Sequence, residues 1–252
     1  MERSDFIRLL SDALAANELA DMVDVDCVNN LYLLTEHMLR VNSVMNLTRI
    51  TEPREIILRH YIDSLTLLPH IPQGATVMDV GCGAGFPSLP LAIARPDLRI
   101  TALDSTDKKV RYVNETASLL GISDRLTAIT ARAEDAAAPN SPLREHFDIV
   151  CSRAVARLPI LAEITLPFLS VGGTLIAMKG GQAALEADEA AKAFSVLGAE
   201  PALTLHCALR SPISFGDDFL QTDDHALVIA RKGRKSPPIY PRKYAQICKK
   251  PL

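Results

Sequence analysis

The spacing of apolar residues changes near position 75. Before it, Ser4 is followed by Phe6, Leu9, Leu10 and Ala13 at helical spacing, which predicts a first helix with Ser4 as its N-cap. A second helix is predicted over 25–41, with Val28, Leu31, Met38 and Leu39 along one side. A third opens with Pro53 at its first position, carries Ile56, Ile57, Tyr61 and Leu65, and ends before Pro69. Residues 46–50 between them read as a connector.

Beyond position 75, short apolar runs alternate with longer helical segments. Strands are predicted over Thr76–Val80, 99–103, Leu126–Thr130, 147–151 and 174–178, and helices over 86–94, 107–120, 158–169 and 183–197. Such alternation predicts an α/β fold: a mostly parallel sheet with right-handed crossovers and helices on both faces. Two further strands, 203–208 and 226–230, have no helical pattern between them and read as an antiparallel hairpin at the sheet edge. The expected organisation is a helical cap over 1–70, a sheet-bearing domain over 71–232 and a basic tail over 233–252.

The turn after the first strand is glycine-rich. Met78-Asp79-Val80 leads into Gly81-Cys82-Gly83-Ala84-Gly85-Phe86-Pro87, where the chain can bend sharply and a ligand can approach bare backbone. A dinucleotide fingerprint would need glycine at position 86, which holds Phe86, and no phosphate-loop lysine follows. Asp104 ends the second strand, 19 residues beyond Gly85, where a carboxylate can accept hydrogen bonds from the two hydroxyls of a ribose. The alternative is that Asp104 caps the helix that follows. After the third strand, backbone groups of Ala131-Arg132-Ala133-Glu134-Asp135 could read a base edge, an acidic loop being the plainer reading. Gly81, Gly83, Gly85 and Asp104 are therefore the expected ligand contacts.

Composition narrows the class. With 48% hydrophobic residues the 252-residue chain can bury a large core, and no apolar run is long enough to span a membrane. Met1-Glu2-Arg3-Ser4-Asp5 lacks a secretory pattern, and five scattered cysteines without a CxxC pair suggest reduced thiols, no metal site and a cytoplasmic location. Charge is uneven: residues 231–252 hold eight basic and no acidic residues, whereas residues 1–230 hold 19 basic and 30 acidic ones. A basic tail on an acidic body suggests contact with a polyanion, the plainer reading being a solvated tail.

Several blocks in order resemble the bacterial ribosomal RNA small subunit methyltransferase G family, also called glucose-inhibited division protein B. They are Asn46-Leu47-Thr48, Arg59-His60-Tyr61-Ile62-Asp63-Ser64-Leu65, the stretch Asp79 to Pro87, Leu103-Asp104-Ser105, Lys108-Lys109-Val110-Arg111, Ser152-Arg153-Ala154 and Met178-Lys179-Gly180. The resemblance implies a class I methyltransferase (Rossmann-like) fold with an N-terminal helical cap. It implies S-adenosylmethionine as methyl donor and N7 of a guanine in 16S ribosomal RNA, or in the 30S particle, as acceptor. By position in the motifs it implies that Gly81, Phe86, Ala133, Glu134 and Arg153 touch the cofactor. Relatives usually carry leucine at the position of Phe86, and some lack the tail.

Guanine N7 bears an in-plane lone pair and no proton, so its methylation needs alignment and no catalytic base. Rival chemistries mark other residues. Amine methylation goes with an Asp/Asn-Pro-Pro-aromatic motif where this chain has Ser152-Arg153-Ala154-Val155. Pyrimidine C5 methylation needs a cysteine nucleophile, for which Cys151 stands close to the right place, although a buried packing role is the expectation. His60 and Asp63, three apart on the third helix, are expected to pair and fix it, or else to shape an RNA entrance. Arg153 is expected to contact the cofactor carboxylate or orient the guanine. Lys108, Arg111 and Lys179 are the expected RNA contacts, with surface charge as the plainer reading. A monomer without membrane attachment is expected. The competing readings are a nicotinamide-dependent oxidoreductase and a non-catalytic RNA-binding protein.

Overall fold

A computed structural model describes residues 1–215 and 224–252. Its chain begins with helices α1 (Arg3–Ala16), α2 (Val25–Met45), α3 (Pro53–Ile56) and α4 (Asp63–Leu65). The last two are joined by a π-helical stretch, Ile57–Ile62, so the third expected helix is continuous but widened at its centre. Ser4 lies inside α1 rather than at its cap, which is Glu2 and has no side-chain cap bond. Helix α2 is capped by Asp24, which accepts a 2.7 Å bond from Cys27 N. Pro53 opens α3, as its missing N–H favours.

Strands β1 (Thr76–Val80), β2 (Arg99–Asp104), β3 (Leu126–Thr130), β4 (Phe147–Arg153), β5 (Leu169–Lys179), β6 (Leu203–His206) and β7 (Ala226–Arg231) form one sheet in the order β3-β2-β1-β4-β5-β7-β6. The first five are parallel, and β7 runs antiparallel to both β5 and β6. The expected hairpin therefore enters the sheet reversed: its second strand lies against β5 and its first forms the edge. Strand order reverses between β1 and β4, which opens a crevice at their carboxyl ends.

Connecting helices are α5 (Ser88–Ala94), α6 (Asp107–Leu119), α7 (Ala133–Ala136), α8 (Leu158–Thr165), α9 (Ala183–Glu189) and α10 (Ala191–Leu197), and α11 (Tyr244–Lys249) follows the sheet. Helix α8 is shorter than its apolar run suggested. Pro167 lies in a 3-10 turn, Leu166–Phe168, and β5 starts at once with Leu169, five residues ahead of expectation. The expected helix over 183–197 breaks into α9 and α10 at Ala190.

Period-two alternation along the buried strands divides two cores. Val77, Ile100, Ala102, Ile149, Cys151 and Ile176 share one continuous core with residues of α1, α2, α5 and α6. Met78, Val80, Leu103, Val150, Leu175 and Ala177 face α8, α9, α10 and α11 in the other. No helix among the described residues is long and apolar enough to cross a membrane.

Candidate functional site

The crevice between β1 and β4 holds a cavity of about 450 Å³. Its floor is the turn after β1, where Gly81, Cys82, Gly83, Ala84 and Phe86 line the space. Gly83 has φ +57°, and a Cβ there would meet no protein atom closer than 3.9 Å, so its bare backbone faces open room. Gly85, at φ +85°, serves another purpose: a Cβ would lie 2.3 Å from Leu89 Cδ1, so the glycine lets the turn press against α5. Of the expected glycine contacts, Gly81 and Gly83 line the cavity and Gly85 does not.

Asp104 reaches the cavity from the end of β2 and is 8% exposed. Its Oδ2 accepts a 3.0 Å bond from Gly83 N and its Oδ1 a 2.8 Å bond from Thr106 N. The cap of α6 is Thr106, so Asp104 forms a turn ahead of the helix instead of capping it. Each carboxylate oxygen keeps a lone pair for a further donor.

Beneath the turn lies a second acid, Asp79, fully buried at the end of β1. Burial pushes its carboxyl up to about 6, against two hydrogen bonds from Ser88, whose hydroxyl lies 2.7 Å from Oδ2. The cysteines beside it are not poised for attack: burial raises both Cys82 and Cys151 far above the ordinary thiol range.

Arg153 stands at the end of β4, on the other side of the turn from Asp104. Its Nη1 donates to the Arg59 carbonyl at 2.8 Å and to Asp63 Oδ2 at 2.9 Å, and its Nη2 lies 3.3 Å from His60 Nδ1. The guanidinium also sits 5.2 Å from the centre of the Phe86 ring, on which His60 stacks at 4.3 Å. Because arginine only donates, His60 Nδ1 accepts, and Nε2 carries the proton towards Thr48 Oγ1, 3.1 Å away. Burial and then the Arg153 charge push the imidazole down to about 3, consistent with a neutral ring. Asp63 is held below the usual carboxylate range: burial works to raise it, but His225, 3.0 Å from Oδ1, and Arg153 outweigh burial.

His60 and Asp63 therefore do not pair with each other; both turn to Arg153. His60 lies in the π-helical stretch and Asp63 opens α4 directly after it, and the wider turn alters which residues share a face. The RNA contacts expected from sequence sit off the cavity wall. Lys108 is exposed on α6, Arg111 is bound to Asp107, and Lys179 is held by the Ala156 carbonyl at 2.5 Å and Glu186 at 2.8 Å. Lys109 lines the cavity in place of Lys108. Ala133 and Glu134 line it at the start of α7.

Sequence reasoning missed Thr48, His225 and Tyr244. Thr48 belongs to the Asn46-Leu47-Thr48 block, whose spacing carries no sign of a role. His225 and Tyr244 come from far along the chain, and only the sheet order and the path of the last segment bring them in. That segment is less free than its charge suggested. Lys232 is buried against the Leu166 carbonyl, Arg234 bonds the Ser195 carbonyl, Lys235 pairs with Glu145, and Arg242 pairs with Glu163.

Known proteins resemble this chain in sequence and in fold. The profile of the family described as "GidB: rRNA small subunit methyltransferase G" matches residues 28–212. A protein named ribosomal RNA small subunit methyltransferase G from Lactobacillus johnsonii is 40% identical over 86% of this chain and 88% of its own length. One of the same name from Desulforamulus reducens is 38% identical over 95% of this chain and 98% of its own. Among solved structures, an O-methyltransferase from Bacillus cereus in complex with SAH superposes with a TM-score of 0.53 at 16% identity, over 79% of this chain and 91% of that one. Geranyl diphosphate C-methyltransferase from Streptomyces coelicolor gives 0.51 at 14% identity, over 67% and 78%. At such identities these two speak for the fold alone. With a family profile over most of its length and relatives near 40% identity along nearly all of it, the chain belongs to the ribosomal RNA small subunit methyltransferase G family.

Proposed function

We propose that the protein transfers a methyl group from S-adenosylmethionine to N7 of a guanine in small-subunit ribosomal RNA. The observation that carries this reading is the switch-point cavity, in which bare glycine backbone and the Asp104 carboxylate share one space of about 450 Å³. That volume lies within the range of small-molecule sites. Asp104 offers the two free lone pairs that a ribose diol needs, and Gly83 leaves room beside it. Phe86, in the place of a dinucleotide turn's third glycine, disfavours a nicotinamide cofactor.

When bound there, S-adenosylmethionine supplies an electrophilic methyl group on a sulfonium. The residues around it hold and align. Asp104 takes the ribose, the backbone of Ala133 and Glu134 faces the base, and Phe86 walls the far side of the turn. Arg153 presents a fixed positive charge from β4 to an acceptor, either a carboxylate or guanine O6. His60 has both ring nitrogens engaged and stays neutral, so it steadies Arg153 and does not act as a base. A guanine N7 requires none, because it has no proton to lose. The sheet-bearing unit spans 71–232, with helices of 1–70 and the segment 233–252 packed against it, and a ribosomal RNA substrate implies a cytoplasmic location.

The test is incubation with labelled donor and small-subunit ribosomal RNA, naked and as an assembled particle, followed by mapping of the modified nucleotide. Label on a guanine N7 is expected. Label confined to an exocyclic amine or a pyrimidine carbon, or absent from both substrates, overturns the assignment.

A further inference from the structure

We propose that the segment 232–252 is a working part of the donor site: a strap, clamped to the body, that sets Tyr244 as the adenine-end wall of the cavity. The inference rests on the donor reading above and concerns a residue that this reading does not use.

The direction of the ligand follows from the sheet. In the order β3-β2-β1-β4, the cavity runs from Ala131–Glu134 after β3, past Asp104 on β2 and the glycine turn after β1, to Arg153–Val155 after β4. If Asp104 grips the ribose, the sulfonium and amino-acid end lies towards β1 and β4, and the base lies towards β3. Tyr244 lines the cavity, and it stands at the β3 end, where the Arg132 guanidinium sits 5.9 Å from its ring centre. Ile164 of α8 also lines the cavity. An aromatic ring beside an aliphatic wall suits a purine, whose faces are apolar and whose edges are polar.

The ring is held there by a series of anchors. Lys232 is fully buried and donates to the Leu166 carbonyl at 2.6 Å and to Ser236 Oγ at 2.8 Å. Arg144 then clamps the backbone, donating to the carbonyls of Tyr240 at 2.8 Å and Ser236 at 2.9 Å. Two residues before Tyr244, Arg242 makes three bonds to the wholly buried Glu163: Nε and backbone N at 2.8 Å to Oε1, and Nη2 at 2.6 Å to Oε2. Glu163 directly precedes Ile164 on α8, so one helix carries both the anchor and part of the adenine wall. Three residues beyond Tyr244, Ile247 is completely buried in the core on that face. A solvated arm would need none of these contacts, and Lys232 and Arg242, committed to the Leu166 carbonyl and to Glu163, are withdrawn from phosphates.

The chain has five tyrosines and no tryptophan, so its fluorescence reports tyrosine alone. S-adenosylhomocysteine is titrated into the full-length protein, as wild type, Tyr244→Phe and Tyr244→Leu, by calorimetry and by fluorescence. Wild-type binding is expected with a change in tyrosine emission; Tyr244→Phe binds within about twofold but loses most of that change. Tyr244→Leu is expected to bind about 5- to 100-fold more weakly, the usual range for loss of an aromatic partner from a base. Its KM for donor rises accordingly, while the KM for RNA stays put. Wild-type affinity in a folded Tyr244→Leu overturns the proposal and leaves the donor reading intact, as does an emission change retained in Tyr244→Phe. A wild-type protein that binds no S-adenosylhomocysteine overturns the donor reading itself.

Discussion

Arg153 Nη1 lies 2.9 Å from Asp63 Oδ2, joining the end of β4 to the start of α4 across 90 residues of sequence. Both side chains are largely buried, and Asp63 also faces His225. Asp63→Asn keeps the shape and removes the charge, so it should cost about 1.5–3 kcal/mol at neutral pH, the scale of a hydrogen bond to a charged group. Because Asp63 titrates below its ordinary value in the folded protein, its contribution is complete above the ordinary carboxylate range. It fades only as the pH falls through the lowered folded value. The stability gap between wild type and variant in urea titrations should thus hold from pH 7 to about 4 and close in stronger acid. A gap that closes near neutrality would refute the pairing.

His60 predicts the opposite partner state. Its folded pKa near 3 lies below the unfolded value, so between about 6.5 and 3 the unfolded chain binds a proton that the folded one refuses. Wild type should lose up to about 1.4 kcal/mol per pH unit in that window through this one group, and His60→Gln should show a shallower slope. Ring resonances of His60 that titrate near pH 6.5 by NMR would contradict the neutral assignment.

Asp104→Ala should weaken S-adenosylhomocysteine binding by about 1–3 kcal/mol, measured by calorimetry. An unchanged affinity would remove the ribose role.

The glycines of the turn should separate by measurement. Gly83→Ala adds a methyl group to open space at φ +57°, so it should cost about 1–2 kcal/mol of stability and lower donor affinity further. Gly85→Ala carries the same backbone penalty and also drives into Leu89, so its melting point should fall more than that of Gly83→Ala. Equal melting points would deny the contact with Leu89.

Cys151→Ser should leave methyl transfer near wild type in a labelled-donor assay, since the thiol is buried and its ionisation strongly disfavoured. Abolished transfer in a folded variant would point to nucleophilic catalysis on a pyrimidine.

Much of this arrangement was legible in the chain. The five parallel strands came from short apolar runs, because strands buried on both faces leave little polar surface to mask them. The glycine turn and Asp104 were legible because both depend on local backbone requirements at a strand's end. What escaped was set by backbone geometry and side-chain pairings that residue spacing does not display. The π-helical stretch that carries His60 runs straight into Asp63, and both side chains meet Arg153, which no i, i+3 count reveals. Lys108 and Arg111, expected as RNA contacts, lie on α6 outside the cavity, where Asp107 pairs with Arg111 and the neighbouring Lys109 lines the cavity. The basic end of the chain showed its charge but not its partners, since Glu163 and Glu145 sit in unrelated parts of the pattern.

The two backbone amides on Asp104 have a consequence for recognition. With one oxygen held by Gly83 and the other by Thr106, the carboxylate is already immobile before any ligand arrives. Its rotameric freedom is lost during folding rather than at capture, so association is not taxed for ordering this group and draws its strength from the new contacts. Discrimination also sharpens, because an acceptor that cannot swivel rewards a vicinal diol and gives little to a deoxy sugar.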